Sequence, residues 1–540
     1  MRSNARESAG TEIHSEIRTS RSLPDRVGIS CRLRAVLHAE LARANPNGLA
    51  LDDASSTSPR TWAELADRTT RLANWIGALG AQPGDHVAVW MGNRVECVEL
   101  MIAGILAGVW LTPINWHLTR DEIAYVIGDS GARVLFTDPT YAALARELFA
   151  GPLVIAGEEF ESGLRAASDA PKPGDAPAGG PMIYTSGTTG RPKGVKRHRA
   201  ATLAAARDAQ IAYARAIGVD APGPHLITGP CYHAAPLMYA IYAQTAGAPI
   251  LVMPRWDERP ALALLREREV GSTHLVPTMF ARLLRLSDEE RASFSAPALA
   301  TVLHGAAPIS RATKQRMIDW WGPVLFEYWG ATESGVITLA TSAEWLAHPE
   351  TVGRVLPAFE VFAVDGSGRR LPPGENGLLY ARHRSTPRLF EYHGAPEKTA
   401  ASFLDAHSFT IGDIGRVDGE GFVYLADRQS HTIISGGVNI YPAEIEAVLH
   451  EHPAVADVAV FGIPDDDWGE SVKAAIELRA GHAAGDALAA EILRFARERL
   501  AGYKVPRSID FETALPRHAS GKLYLRELRD RYWAGRSRRI

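Results

Sequence analysis

From residue 61 the chain alternates between two hydrophobic rhythms. In TWAELADRTTRLANWIGALG (61–80) apolar residues recur at helical spacing and a glycine closes the run, which predicts an amphipathic helix. DHVAVWM (85–91) is short and apolar, and reads as a strand. ECVELMIAGILAG (96–108) returns to helical spacing, and ARVLFTD (132–138) is again strand-like. Strands alternating with helices predict an α/β fold with a largely parallel sheet. The most apolar stretches, 101–114 and 236–254, are short or broken by Gln, Gly and Pro. Each falls short of the roughly 18 apolar residues of a membrane-crossing helix, so both are expected in the core.

The Pro-, Gly- and Ala-rich segment 168–181 reads as a surface connection leading into a short strand, MIY (182–184). A second unit follows near residue 428, with strands expected at 432–434, 456–461 and 472–478 and helices at 442–450 and 486–500. The expected organisation is therefore a disordered extension over 1–28, a large α/β domain of layered subdomains over 29–428, and a small, mobile α+β domain over 429–540. The basic end RDRYWAGRSRRI reads as a solvated terminus.

Composition adds mainly exclusions. At 540 residues the chain is too long for one core, and its net charge of -4 gives no reason to expect nucleic acid or an anionic membrane as partner. Cys31, Cys97 and Cys231 lie far apart, without metal-ligand spacing, and suit a reducing cytoplasm. No apolar core of a signal peptide is seen in the polar first 28 residues. Homo-oligomerisation stays open.

Chemistry first shows in YTSGTTGRPKGVKR (184–197). Glycines let backbone N–H groups converge on phosphate oxygens, hydroxyls add donors, and Lys193 adds charge. The Walker A pattern of kinases and ATPases fails twice. Pro192 stands where its second glycine belongs, and Gly194 follows Lys193 where Ser or Thr is required. The stretch instead resembles the phosphate-binding signature of the adenylate-forming superfamily, which includes acyl- and aryl-CoA synthetases, nonribosomal adenylation domains and beetle luciferase. The resemblance runs in order over about residues 35–535.

That resemblance implies roles, residue by residue. Thr185, Ser186, Gly187, Thr188, Thr189, Gly190 and Lys193 would hold the ATP phosphates. In LHGAAPIS (303–310), a tight turn when read alone, Gly305, Ala306 and Ala307 would make room for the adenine. In EYWGATESG (327–335), Trp329 would stack on the base, Thr332 would contact phosphate, and Glu333 would hold Mg²⁺, a hard cation that takes carboxylate and phosphate oxygens. Asp413 would accept from the ribose hydroxyls and Arg428 would support ribose or phosphate. His233, in PCYHAAPL (230–237), would gate the acyl pocket, with Tyr232, Tyr328 and Gly330 beside it. Lys522, in PRHASGKLYLREL, would be the catalytic lysine of the small domain, and Gly436 and Gly437 would line the channel for coenzyme A (CoA). Ser430 departs from the usual Lys or Asp at the hinge.

The implied reaction joins a carboxylic acid to ATP as an acyl adenylate, releases pyrophosphate, and transfers the acyl group to the thiol of CoA. No covalent enzyme intermediate is needed; positioning and electrostatics carry the catalysis. Transfer to a carrier protein, oxidation of the adenylate, and a non-catalytic nucleotide-binding module stay open as alternatives. The acid itself, fatty, alicyclic or aromatic, is not legible.

Overall fold

The computed structural model describes residues 38–55, 59–185, 192–307, 309–428, 431, 433–435, 438–440, 442–465, 469–500, 502–517 and 523–534. The expected disordered extension, Ser186–Gly190 of the glycine-rich loop, Ser430, Gly436, Gly437 and Lys522 lie outside the described residues.

Local chemistry sets the element ends. The first long helix, Trp62–Ala78, starts where Thr61 accepts from the Glu64 N–H and the Glu64 carboxylate accepts from the Thr61 N–H, a reciprocal capping box. Its buried face is Trp62, Leu65, Thr69, Leu72, Ala73 and Ile76. The next helix, Val95–Ala107, is buried nearly all round and stops at Gly108, whose φ of 75° suits glycine. It carries a carboxylate into the core: Glu99 is fully buried and is clamped by Arg68, Nε to Oε1 at 2.6 Å and Nη2 to Oε2 at 3.0 Å. The two apolar stretches of the sequence lie in the core, as that helix and the helix Ala234–Thr245 with the strands after them. Among the described residues no helix is long and apolar enough to cross a membrane.

Three sheets are present among the described residues. The first runs Phe390–Tyr392, Lys193–Arg197, Gly180–Thr185, Trp110–Pro113, His86–Trp90, Ala132–Thr137, Leu153–Ile155. It is parallel from Gly180–Thr185 onward, while Lys193–Arg197 folds back antiparallel on that strand. In the sequence, the glycine-rich segment lies between these two antiparallel strands. The second sheet has fourteen strands. Its parallel half contains Leu49–Asp53, Ile250–Val252, His225–Ile227, Ser272–Leu275, Thr301–His304 and Leu325–Ala331. From Leu325–Ala331 onward it turns antiparallel, through Gly335–Thr341, Gly353–Val355, Phe422–Arg428, Asp413–Val417, Gly377–His383 and Phe359–Val364. The fold is α/β as expected, but this half departs from the parallel pattern. Short turns join Leu325–Ala331 to Gly335–Thr341 and Asp413–Val417 to Phe422–Arg428, and such turns link antiparallel neighbours, while Gly353–Val355 pairs with the distant Phe422–Arg428.

The third sheet has five strands, drawn from residues 433–512, with Gly469–Leu478 paired antiparallel to Val455–Asp465 and parallel to Ser508–Glu512. It has its own apolar core, built on Ile433, Ile445, Leu449, Val460, Ile476 and Ile492. The expected helix 486–500 closes early, at Arg497.

Candidate functional site

The site is organised by the antiparallel pair Leu325–Ala331 and Gly335–Thr341. The register slips between Trp329 and Gly330, so that Trp329 faces Thr338 while Gly330 faces Val336. This bulge brings the backbones together: a Cβ on Gly330 would sit 1.9 Å from the Gly335 carbonyl oxygen. Glycine is required there. The connecting turn is held by Ser334, whose Oγ accepts from the Ala331 N–H at 3.1 Å and whose N–H donates to the Ala331 carbonyl at 3.2 Å. Thr332 and Glu333 are half-exposed at its tip.

Glu333 meets the first sheet. The Tyr392 hydroxyl donates to its Oε1 at 2.9 Å. Tyr392 stands on the edge strand that pairs with Lys193–Arg197. The Lys398 ammonium lies 4.4 Å from the Tyr392 ring centre. Burial lowers the Lys398 pKa, the Lys193 charge lowers it further, and Glu333 opposes both. Two ammonium groups and one carboxylate thus share this neighbourhood. Thr185 and Lys193 face each other across the hairpin that the loop connects. Both arms of that hairpin are pinned. Tyr184 donates to Asp129 at 2.5 Å, Tyr125 donates to the Pro192 carbonyl at 3.1 Å, and the His393 N–H donates to the Gly194 carbonyl at 2.7 Å.

On the other side of the turn, Trp329 is 4% exposed and its indole N–H donates to Asp413 Oδ2 at 2.7 Å. Asp413 is itself 5% exposed, and its strand partner is Arg428. Gly305 follows the strand Thr301–His304 and lies against Tyr328; a Cβ there would be 2.7 Å from the Tyr328 carbonyl oxygen. Ala306 has φ 65°, left-handed and unusual for alanine, so this turn is shaped against local preference. Ala307 completes the described part of it. The buried Tyr328 hydroxyl pairs with His274 Nε2 at 3.1 Å, and its ring meets Tyr239 edge-on.

His233 caps the buried helix Ala234–Thr245, its ring 4.6 Å from that of Tyr232. Burial pushes the Tyr232 phenol up to about 12. The segment before it is fixed by Asn93, which accepts from the Cys231 N–H at 2.8 Å and donates to the Gly229 carbonyl at 2.9 Å. Cys231 and Tyr232 line a small apolar pocket with Cys97, Met91 and Leu237. The structure therefore pairs Thr185 with Lys193, brings Glu333 to Tyr392 on the neighbouring strand with Thr332 beside it in the turn, and joins Trp329 with Asp413, Gly305 with Tyr328, and Tyr232 with His233. Sequence reasoning missed Tyr392, Lys398 and Asn93. None belongs to a recognisable motif; each reaches the site from a distant segment.

A large α/β body with a glycine-rich hairpin, followed by a small α+β unit, is the architecture of adenylate-forming ligases. The chain belongs to the AMP-binding enzyme family: that family's model matches residues 39–388, and the model of its C-terminal domain matches 444–522. A feruloyl-CoA synthase of Amycolatopsis sp is 35% identical over 504 residues, 91% of this chain and 97% of its own. A fatty acid–[acyl-carrier-protein] ligase of Streptomyces coeruleorubidus is 33% identical over 500 residues, 89% of this chain and 93% of its own. The solved o-succinylbenzoate CoA synthetase of Bacillus subtilis, in complex with its acyl-adenylate intermediate, superposes with a TM-score of 0.79 at 28% identity, covering 94% of this chain and 99% of that one.

Proposed function

We propose that this protein activates a carboxylic acid with ATP and passes the acyl group to CoA. A carboxylate oxygen attacks the α-phosphorus, the acyl–O–P bond forms, and pyrophosphate leaves. The CoA thiol then attacks the carbonyl carbon, the thioester forms, and AMP leaves. The single observation that carries this reading is the meeting of Glu333, Tyr392, Lys193 and Lys398 at the mouth of the glycine-rich hairpin. Cations there suit phosphate oxygens, and the acyl adenylate bound by the related B. subtilis synthetase supports the same intermediate.

The donor set fits Mg²⁺. Glu333 offers one half-exposed carboxylate, and no cage of three or more acidic, His or Cys side chains exists among the described residues. Mg²⁺ is typically held by one or two carboxylates, with substrate phosphates and waters completing its shell. It would supply neutralisation of phosphate charge. Tyr392 orients the carboxylate that holds it. Asp413, fixed by Trp329, would accept from the ribose, and Arg428 would lie beside it. Gly305–Ala307 and Trp329 would border the base. His233 and Tyr232 would flank the acid, with Tyr328 and Gly330 behind. Lys522 would neutralise the charge that builds between carboxylate and α-phosphate. Gly436 and Gly437 would border the path of the CoA thiol. The sparse cysteines suit a cytoplasmic setting, where ATP and CoA are supplied.

The carrier-protein ligase among the relatives favours one second reading, transfer to a carrier's phosphopantetheine thiol. Pyrophosphate release measured with a panel of acids, with CoA, with a holo carrier protein and with neither, followed by mass spectrometry of the product, decides between them. A CoA thioester is expected. A product found only on the carrier overturns the CoA assignment, and no pyrophosphate with any acid overturns adenylation.

A further inference from the structure

Arg197 ends the strand Lys193–Arg197 and shares a strand face with Lys193, about 13 Å further along. Its side chain enters the space between the helices Leu203–Ile217 and Ala234–Thr245 and the β-turn that carries Glu333. Its Nη2 donates to the Tyr242 hydroxyl at 2.8 Å. Its Nη1 lies where a Cβ on Gly335 would be 2.4 Å away, and the Tyr213 hydroxyl lies 2.7 Å from the same point. The Tyr213 hydroxyl also accepts from the Val336 N–H at 2.7 Å, and the Tyr213 and Tyr242 rings meet edge-on at 4.9 Å.

The charge balance of this group is incomplete. Among the described residues, no carboxylate lies within ion-pair distance of Arg197, whereas half-buried Arg68 and buried Arg207 each hold two. The groups its charge meets are the phenols of Tyr242, Tyr213 and Tyr239, not carboxylates. Neutral hydroxyls satisfy N–H donors but do not neutralise a guanidinium held away from bulk water. Arg197 and Tyr213 are each partly exposed. A planar fork with one edge already fixed by Tyr242 is suited to a carboxylate, which it can hold through paired N–H donors.

We propose that Arg197, with the hydroxyls of Tyr213 and Tyr242, binds a second carboxylate on the acid substrate, so that the preferred substrate is a diacid activated at one end. The proposal rests on the adenylating activity proposed above. Gly335 belongs to it: a side chain there would collide with the guanidinium and the Tyr213 hydroxyl.

The test compares length-matched acids, hexanoate with hexanedioate and cinnamate with 4-carboxycinnamate. Pyrophosphate release is measured for the wild type, Arg197→Met and Arg197→Lys. The wild type is expected to show kcat/KM at least tenfold higher for each diacid. In Arg197→Met the diacid-to-monoacid ratio should fall on the order of a hundredfold, the usual worth of a charge-assisted pair. Arg197→Lys, which keeps the charge but loses the fork, should give an intermediate ratio and decides the matter if the Met variant does not fold. A structural pin would lower both members of a pair together. An unchanged ratio in the variants, or a wild type that prefers the monoacids, overturns the second-carboxylate site while leaving adenylation intact. No pyrophosphate from any of the four acids overturns the adenylation reading and this one with it.

Discussion

At the scale of single residues, the proposed Mg²⁺ site rests on one carboxylate and on how tightly it is aimed. Glu333 is held by the Tyr392 hydroxyl at 2.9 Å from a strand of the other sheet. Glu333→Gln keeps the size and one acceptor but removes the charge. The Mg²⁺ concentration for half activity should rise at least tenfold in that variant, and only a few-fold in Tyr392→Phe, where the charge remains and its orientation is lost. Titration of pyrophosphate release against Mg²⁺ reads both; an unchanged curve for Glu333→Gln would make the residue structural. Gly330 sets the position of the same turn. Gly330→Ala puts a methyl 1.9 Å from the Gly335 oxygen, so Thr332 and Glu333 must move. Misplacement on that scale costs about 10² in rate. The fall should appear in kcat/KM for ATP, and normal kinetics in a folded Gly330→Ala protein would show that the bulge has no part in catalysis.

At the scale of elements, three neighbouring parallel strands each carry a buried histidine: His225, His274 and His304. Burial holds His225 and His274 down at about 3, and holds His304 well below its ordinary value with help from Lys314. Above pH 6.5 folded and unfolded chains both carry neutral imidazoles, and these groups contribute no pH dependence. Below 6.5 the unfolded chain takes up protons that the folded one refuses, so stability falls until the pH reaches about 3. His225 and His274 each add a slope of up to about 1.4 kcal/mol per pH unit in that window, and His304 acts in the same direction. Urea unfolding between pH 7 and 5 should show the decline, and His304→Leu should remove one proton's worth of slope; equal slopes would mean that His304 is protonated in the fold. The elements themselves were legible where their causes are local. The Thr61–Glu64 cap and Gly108 mark helix ends within a few residues of sequence. The antiparallel half of the large sheet was not legible, because its pairs are distant; Gly353–Val355 lies against Phe422–Arg428. The site divides the same way. The proposed motifs are local in sequence, but the Trp329–Asp413 bond spans 84 positions and the Tyr392–Glu333 bond spans 59. No spacing rule reaches across such gaps.

At the scale of the whole molecule, the question is how one bound adenylate meets two different sets of groups. The five-stranded sheet has its own apolar core, and the proposed mechanism has this unit move as a body. Two segments of that unit matter. In the sequence, Gly436 and Gly437 lie between the paired strands Ile433–Ser435 and Val438–Ile440, and Lys522 lies between Arg517 and Leu523, which pair with each other. Adenylation needs a cation where carboxylate meets α-phosphate, and losing one such donor costs about 3–4 kcal/mol, or roughly 10²–10³ in rate. Thioester formation needs an open path for a thiol to the carbonyl carbon. A rotation about residues 428–430 would exchange the lysine for the glycine segment. Lys522→Ala should then lose adenylation by that factor, yet convert a supplied acyl adenylate to acyl-CoA at close to the normal rate. Gly437→Leu should do the reverse, forming adenylate and stalling before the thioester. Single-turnover kinetics of each half-reaction, started from acid plus ATP or from the synthetic adenylate plus CoA, separate the two steps. Equal damage to both steps in both variants would mean that the small unit works from one fixed position, with Lys522 and the glycines serving the same transition state.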